Sequence, residues 1–293
     1  MDFFPGFRHE TVPVGGGVDI HAVVGPARGP ALLLLHGYPQ THVIWHRVAP
    51  RLAQRFTVVA SDLRGYGDSA KPVTTQDHSA YSKRAMAADQ AELMRKLGHE
   101  RFMVVGHDRG GRVAHRLAVD HAARVTHLAV LDIAPTLAMY EQTTDAYARA
   151  YWHWFFLIRP APLPERMIGA DPRLYLRHKM SESLERDVFD PAAWAEYERC
   201  FTAGAIHASC EDYRAAATID LVHDRGDREA GRKVRCPLLA LWGAQGVVEK
   251  CFRPLDEWRR VADDVCGEAL PAGHYIPEEV PDLLAQHLER FFE

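Results

Sequence analysis

Val104-Val105-Gly106-His107-Asp108-Arg109-Gly110-Gly111-Arg112 is the stretch that decides the fold. Phe102 to Val105 is an apolar run of strand length. Gly-His-Asp-Arg-Gly follows. From Arg112 to His121 the apolar residues Val113, Ala114, Leu117 and Ala118 recur at helical spacing. The reading is strand, tight turn, helix. It has the form of a nucleophile elbow, Gly-x-nucleophile-x-Gly, with Asp108 where serine is common. Gly106 and Gly110 flank the turn, where a side chain would collide with a strained backbone.

Aspartate in place of serine changes the chemistry. A carboxylate can attack a saturated carbon, displace a leaving group and form an ester on the protein, which water must then hydrolyse. Alkyl halides or epoxides are therefore expected rather than ordinary esters. Arg109 and Arg112 lie three apart at a helix start and so share a face. Cations are unfavourable there because of the macrodipole, and a local rule broken twice beside a nucleophile points to function. Asp108 with two arginines carries net +1, which a substrate carboxylate would neutralise, and the planar guanidinium fork suits a carboxylate. A small halogenated carboxylic acid is the expected ligand. The competing reading makes both arginines surface residues of an exposed helix.

Composition narrows the class. The chain has 293 residues, 47% hydrophobic and 25% charged, with net charge −4. That is an ordinary globular composition and offers nothing for nucleic acid or an anionic membrane. No apolar run approaches the roughly 20 residues that span a bilayer, and the amino terminus does not read as a signal peptide. The five cysteines (Cys200, Cys210, Cys236, Cys251 and Cys266) are odd in number and form no Cys-x-x-Cys. Free thiols in a reducing cytoplasm are expected. No histidine pair has convincing metal spacing, so no metal is expected.

Further strands are expected at Ile20–Val24, Ala31–Leu35, Phe56–Ala60, His127–Leu131, Pro237–Trp242 and Asp264–Leu270, with helices at Ser82–Leu97 and Pro281–Phe292. Their alternation predicts an α/β, mostly parallel, doubly wound sheet, with ligands at the carboxyl ends of its strands. His36-Gly37-Tyr38-Pro39 follows one such strand, and the N–H groups of Tyr38 and Arg109 would form an oxyanion hole. Asp62 to Ser69 is a glycine-punctuated loop whose charges are expected to hold the loop itself. From about Met139 to Arg232 strand-like runs vanish and aromatics take over. The expected division is a core of residues 1–138 and 233–293 and an inserted helical cap of 139–232. His274 would be the general base. Its orienting acid is Asp132, at a strand end, or Glu249, after the next strand. Asp132 is favoured because a strand end is the more rigid support.

At this point the sequence resembles the fluoroacetate (haloacetate) dehalogenases of the α/β-hydrolase superfamily over nearly its whole length. The resemblance rests on Leu35 to His42, Asp62 to Ser69, Gly106 to Gly110, Leu131-Asp132-Ile133, Tyr151 to Phe156, Cys210 to Arg214 and Gly273-His274. It implies an α/β-hydrolase fold with Asp108 as nucleophile, Asp132 and His274 as acid and base, and Arg109 and Arg112 as carboxylate clamp. It also implies a halide pocket of His153, Trp154 and Tyr213, whose neutral N–H and O–H groups can converge on one small anion. A cytoplasmic homodimer acting on a small haloacid without a cofactor is expected. Gly111 stands where the family more often has Ala, and Tyr38 where it has Phe. The rival readings are an epoxide hydrolase, which would use cap tyrosines, and a non-catalytic small-acid receptor on the same fold.

Overall fold

The computed structural model describes residues 2–293, apart from the Glu182 side chain. Its sheet has eight strands: β1 (Arg8–Gly15), β2 (Val18–Val24), β3 (Ala31–Leu35), β4 (Thr57–Ser61), β5 (Phe102–His107), β6 (Val125–Leu131), β7 (Leu238–Gly243) and β8 (Val265–Leu270). The spatial order is β1-β2-β4-β3-β5-β6-β7-β8. β1–β2 and β2–β4 are antiparallel, and every later pairing is parallel. The α/β expectation holds.

All residues of β3, β4 and β5 are buried, as a sheet covered on both faces requires. Successive side chains point to opposite faces. Leu33, Leu35 and Val104 enter one core layer, while Leu32, Leu34, Met103 and Val105 enter the other. The first layer packs under α2 (Lys83–Lys96) and α3 (Arg109–Asp120) through Met86, Leu93, Val113 and Leu117. The second packs on α1 (Ala49–Leu52), and on Leu284 and Leu288 of the carboxy-terminal helix, Pro281–Phe291.

β1 is absent from the expectation, which began at Ile20. It is an edge strand in which only Val12 is buried, with Pro13 near its end. A strand so exposed leaves little hydrophobic pattern, and an edge is where proline is tolerated.

Between β6 and β7 lie α4 (Thr136–Glu141), α5 (Asp145–Ala150), α6 (Trp152–Leu157), α7 (Leu163–Ala170), α8 (Pro172–Lys179), α9 (Ser181–Glu185), α10 (Pro191–Cys200), α11 (Ala203–Ala217) and α12 (Ile219–Glu229). Pro172 and Pro191 open α8 and α10, where the missing N–H costs nothing. Asp171 and Asp190 cap these two helices, accepting from Leu174 N, and from Ala192 N and Ala193 N. α13 (Val247–Cys251), α14 (Pro254–Val261), α15 (Ile276–Glu279) and α16, the carboxy-terminal helix above, complete the chain. The cysteines are unpaired: Cys200 and Cys210 buried, Cys236 and Cys251 half-buried, Cys266 exposed. Among the described residues no helix is long and apolar enough to cross a membrane.

Candidate active site

Strand order fixes where the site lies. β3 leads to β4 on one side and β5 leads to β6 on the other, so the loops after β3 and β5 diverge and leave a crevice between them. Asp108 stands at the end of β5 with φ 47° and ψ −114°, a conformation that non-glycine residues rarely adopt. Its neighbours permit this. A Cβ on Gly106 would come 2.4 Å from Gly110 O, and one on Gly110 would come 2.4 Å from His36 O. A Cβ on Gly37 would come 2.5 Å from Asp108 Cβ, so that glycine lets the loop after β3 close on the carboxylate. Tyr38 N then donates to Asp108 Oδ2 at 2.9 Å.

Asp108 is 4% exposed. Burial alone would push its carboxyl up, but its interactions with His274 and with the Arg109 and Arg112 guanidiniums outweigh that and hold it below the usual range. A buried yet ionised carboxylate is the state a nucleophile needs.

His274 Nδ1 lies 2.6 Å from Asp132 Oδ2, and Gly243 N donates to Asp132 Oδ1 at 3.0 Å. Glu249 accepts from Trp242 Nε1 instead. The His274 carbonyl accepts from His107 Nε2 at 2.8 Å. Burial pushes the His107 imidazole down to about 3, so it stays a neutral donor.

Arg109 and Arg112 are both buried, so the reading of them as surface residues is wrong. Arg109 donates to Asp212 through Nε (3.0 Å to Oδ2) and Nη2 (2.6 Å to Oδ1, 2.9 Å to the backbone oxygen). Lys83 Nζ and Tyr66 Oη also donate to Asp212. Among the described residues Arg112 hydrogen-bonds only neutral groups: Ala134 O at 3.1 Å, Thr136 Oγ1 at 3.0 Å and Met139 Sδ at 3.0 Å. Arg109 Nη1 and Arg112 Nε are buried and have no partner. The net +1 counted from sequence is therefore incomplete: Asp212 and Lys83 belong to the same charge cluster, and Arg112 faces Asp108 without hydrogen-bonding a carboxylate.

His153, Trp154 and Tyr213 come together above this floor. Arg109 Cζ lies 4.1 Å from the Tyr213 ring centroid and Arg112 Cζ 4.6 Å from that of Trp154. The His153 and Trp154 rings lie 5.8 and 6.1 Å from Tyr213. His153 Nδ1, Trp154 Nε1 and Tyr213 Oη are buried without partners. Burial, with Lys179, His274 and Arg109, holds His153 well below its usual range, and burial beside Asp108 raises Tyr213. Both side chains are therefore neutral donors. Tyr147 Oη and Tyr151 Oη are also buried and unpartnered. Neither drew a role from the sequence, although Tyr151 opens one of the stretches that carry the resemblance.

Both departures from the family pattern have local reasons. The Tyr38 hydroxyl does not add a donor to the oxyanion hole, because it donates to Tyr175 Oη in α8 at 3.0 Å. A Cβ on Gly111 would come 2.6 Å from Ile133 Cδ1, so that isoleucine occupies the space an alanine methyl would need.

His21, His42 and Asp62 form the only group of metal-ligating type among the described residues. Asp62 accepts from His42 N (2.8 Å) and Asp68 N (3.0 Å), and it faces His42 Nδ1 (2.9 Å) and His21 Nδ1 (3.1 Å). A carboxylate has about four acceptor sites, and β2, the turn after β3 and the loop itself together fill all of them.

A strained strand-turn-helix elbow at the carboxyl edge of a parallel sheet, followed in the chain by a paired Asp and His on later strand-end loops, is the arrangement of an α/β hydrolase, and the family model for the alpha/beta hydrolase fold matches residues 30–281. The fluoroacetate dehalogenase of Burkholderia sp is 50% identical over 291 residues, which are 98% of this chain and 94% of that protein. The soluble epoxide hydrolase of Corynebacterium sp. strain C12 is 35% identical, with 94% of each chain covered. A crystal structure from Nostoc sp PCC 7120, assigned to the alpha/beta hydrolases, matches with TM-score 0.94 and 53% identity over 98% of both chains. The chain belongs to the fluoroacetate dehalogenase family of these hydrolases.

Proposed function

We propose that the protein hydrolyses fluoroacetate and related short 2-haloacids to the 2-hydroxyacid and halide. The observation that carries this reading is the pair of buried, unpartnered cationic nitrogens, Arg109 Nη1 and Arg112 Nε, beside an ionised Asp108. A carboxylate seated on them brings its halogen-bearing carbon to Asp108. A carboxylate oxygen of Asp108 bonds to that carbon as the carbon–halogen bond breaks, and the halide leaves with the electron pair. His153, Trp154 and Tyr213 solvate the halide as it forms. Water then attacks the Asp108 ester carbonyl while His274, steadied by Asp132, takes its proton. The N–H groups of Tyr38 and Arg109 hold the oxyanion. The ester collapses, and the proton passes to the departing hydroxyacid oxygen. Residues 139–232 act as a cap that shuts water out during displacement. The same reading carries a cytoplasmic homodimer, for which sedimentation at twice the chain mass is the check.

Fluoride and chloride release from fluoroacetate and chloroacetate, measured for wild type and Asp108→Asn together, tests the reaction. Release by wild type and none by the variant is expected. Chloride without fluoride keeps the dehalogenase and removes the fluoride role of the three donors. No halide from either acid discards the proposal. His274→Ala should trap the ester on Asp108, visible by mass spectrometry.

One observation favours a second reading. The buried, unpartnered hydroxyls of Tyr147, Tyr151 and Tyr213 are the donors an epoxide oxygen would need. Styrene oxide turned over faster than either haloacid would establish an epoxide hydrolase. That reading gives the two unpartnered arginine nitrogens nothing to bind.

A further inference from the structure

His274 is held through more than its ring. The backbone N–H groups on either side of it both donate to one side chain. Gly273 N reaches Glu279 Oε2 at 2.8 Å, and Tyr275 N reaches Glu279 Oε1 at 2.9 Å. Glu279 closes α15, so its carboxylate folds back over the turn that begins at His274. With His107 on the His274 carbonyl, three backbone groups of the loop are fixed by two side chains. A neutral amide in place of this carboxylate would present one acceptor and one donor to two N–H groups.

The same carboxylate reaches outward. Arg186, between α9 and α10, donates from Nη2 to Glu279 Oε2 at 2.6 Å. The Glu279 side chain is 3% exposed and that of Arg186 44%. A Cβ on Gly273 would come 3.1 Å from both Arg186 Nη1 and Glu279 Oε1, so the glycine before the base makes room for this contact. The adjacent Glu278 repeats the pattern on the opposite loop. It accepts from Gln40 Nε2 at 2.6 Å, two residues past Tyr38, and from Tyr197 Oη of α10 at 2.9 Å. Consecutive acids of α15 thus join each catalytic loop to the helical insert.

We propose that Glu279, itself held by Arg186, is a positioning residue that sets the His274 imidazole for hydrolysis of the ester. The inference rests on the Asp108-ester reading above. His274 serves the second step and not the displacement. Loosening its loop therefore slows hydrolysis and leaves ester formation nearly unchanged. A misplacement of about 1 Å in a catalytic group can cost on the order of a hundredfold.

The test is single-turnover and steady-state halide release from chloroacetate, with the Asp108 adduct followed by mass spectrometry. The proteins are wild type, Glu279→Gln, Glu279→Asp, Arg186→Ala and His274→Ala. Glu279→Gln should give a halide burst of one per site, then turnover slowed by about tenfold or more, with ester accumulating. Glu279→Asp should recover part of the hydrolysis rate, and Arg186→Ala should show a weaker form of the same defect. A general loosening of the site would instead lower both steps together and accumulate no ester. Ester in His274→Ala with wild-type partitioning in Glu279→Gln overturns this inference alone. No ester even in His274→Ala overturns the ester reading and this inference with it. Should Glu279→Gln not fold, Arg186→Ala decides: accumulated ester supports the role, and wild-type partitioning removes it.

Discussion

Asp212 gives Arg109 its orientation. Burial would raise its carboxyl, but Arg109 and Lys83 outweigh burial and hold it ionised. Arg109 spends Nε and Nη2 on this partner, which leaves Nη1 as the nitrogen to meet a ligand. Asp212→Asn should cost about 3–5 kcal/mol, because breaking a buried pair strands its cations. Denaturant unfolding measures that loss. The KM for haloacid should rise by about tenfold or more as Arg109 turns away, since placing a substrate depends on sub-ångström geometry; an unchanged KM would show that Arg109 does not bind the carboxylate. Asp212 also marks where sequence reading stops. The elbow, both arginines, Asp132 and His274 announce themselves because each sits at a turn or strand end with a distinctive residue type. Asp212 is 103 residues from Arg109, inside a stretch where Tyr213 alone drew a role. Nothing local to it says that it faces an arginine. Tyr147 and Tyr151 are hidden differently, since an unpartnered hydroxyl is visible only once the packing around it is known.

Among the elements, α15 does the most with the least length. Its four residues carry both Glu278 and Glu279. Burial pushes the Glu278 carboxyl up to about 8, against the donors Tyr197 and Gln40 and the nearby Arg47, with Asp190 adding to the rise. The folded state therefore keeps a proton that the unfolded chain loses near the ordinary carboxylate value. Between those two points the native state binds more protons, so this group's contribution to stability falls as pH rises and levels off above about 8. Glu278→Gln removes that dependence, and the buried, unpartnered Gln40 Oε1 offers the new amide an acceptor. Melting curves from pH 5 to 9 should show wild type losing ground to the variant up to about pH 8. Parallel curves would mean that Glu278 stays ionised. The sequence signals elements unevenly as well. The parallel strands and α3 stand out through unbroken or periodic apolar runs. β1 does not, having one buried residue. α15 is too short to have a period at all, which is why the sequence shows no sign of a joint between the His274 loop and the loop after β3.

Over the whole molecule, the fold encloses its chemistry. Asp108, Arg109, Arg112, His153, Trp154 and Tyr213 are all buried. Ion pairs also join sheet layer to insert: buried Lys83 with Asp212 and Asp220, and buried Arg116 with half-buried Asp224 and with Asp227. The five thiols acquire a meaning in this setting. Chloroacetate and its heavier-halogen relatives alkylate thiolates by the same displacement proposed for Asp108, and only the thiolate is reactive. Burial raises every one of these thiols, Cys236 to about 11 and Cys210 to about 12, and Cys200, Cys251 and Cys266 also upward. During prolonged turnover of chloroacetate, carboxymethyl groups should collect slowly and first on exposed Cys266; peptide mapping that finds Cys200 or Cys210 modified first would contradict this. Sulfurs kept protonated would leave a chloroacid to react at Asp108, where the ester proposed above is one that water can undo.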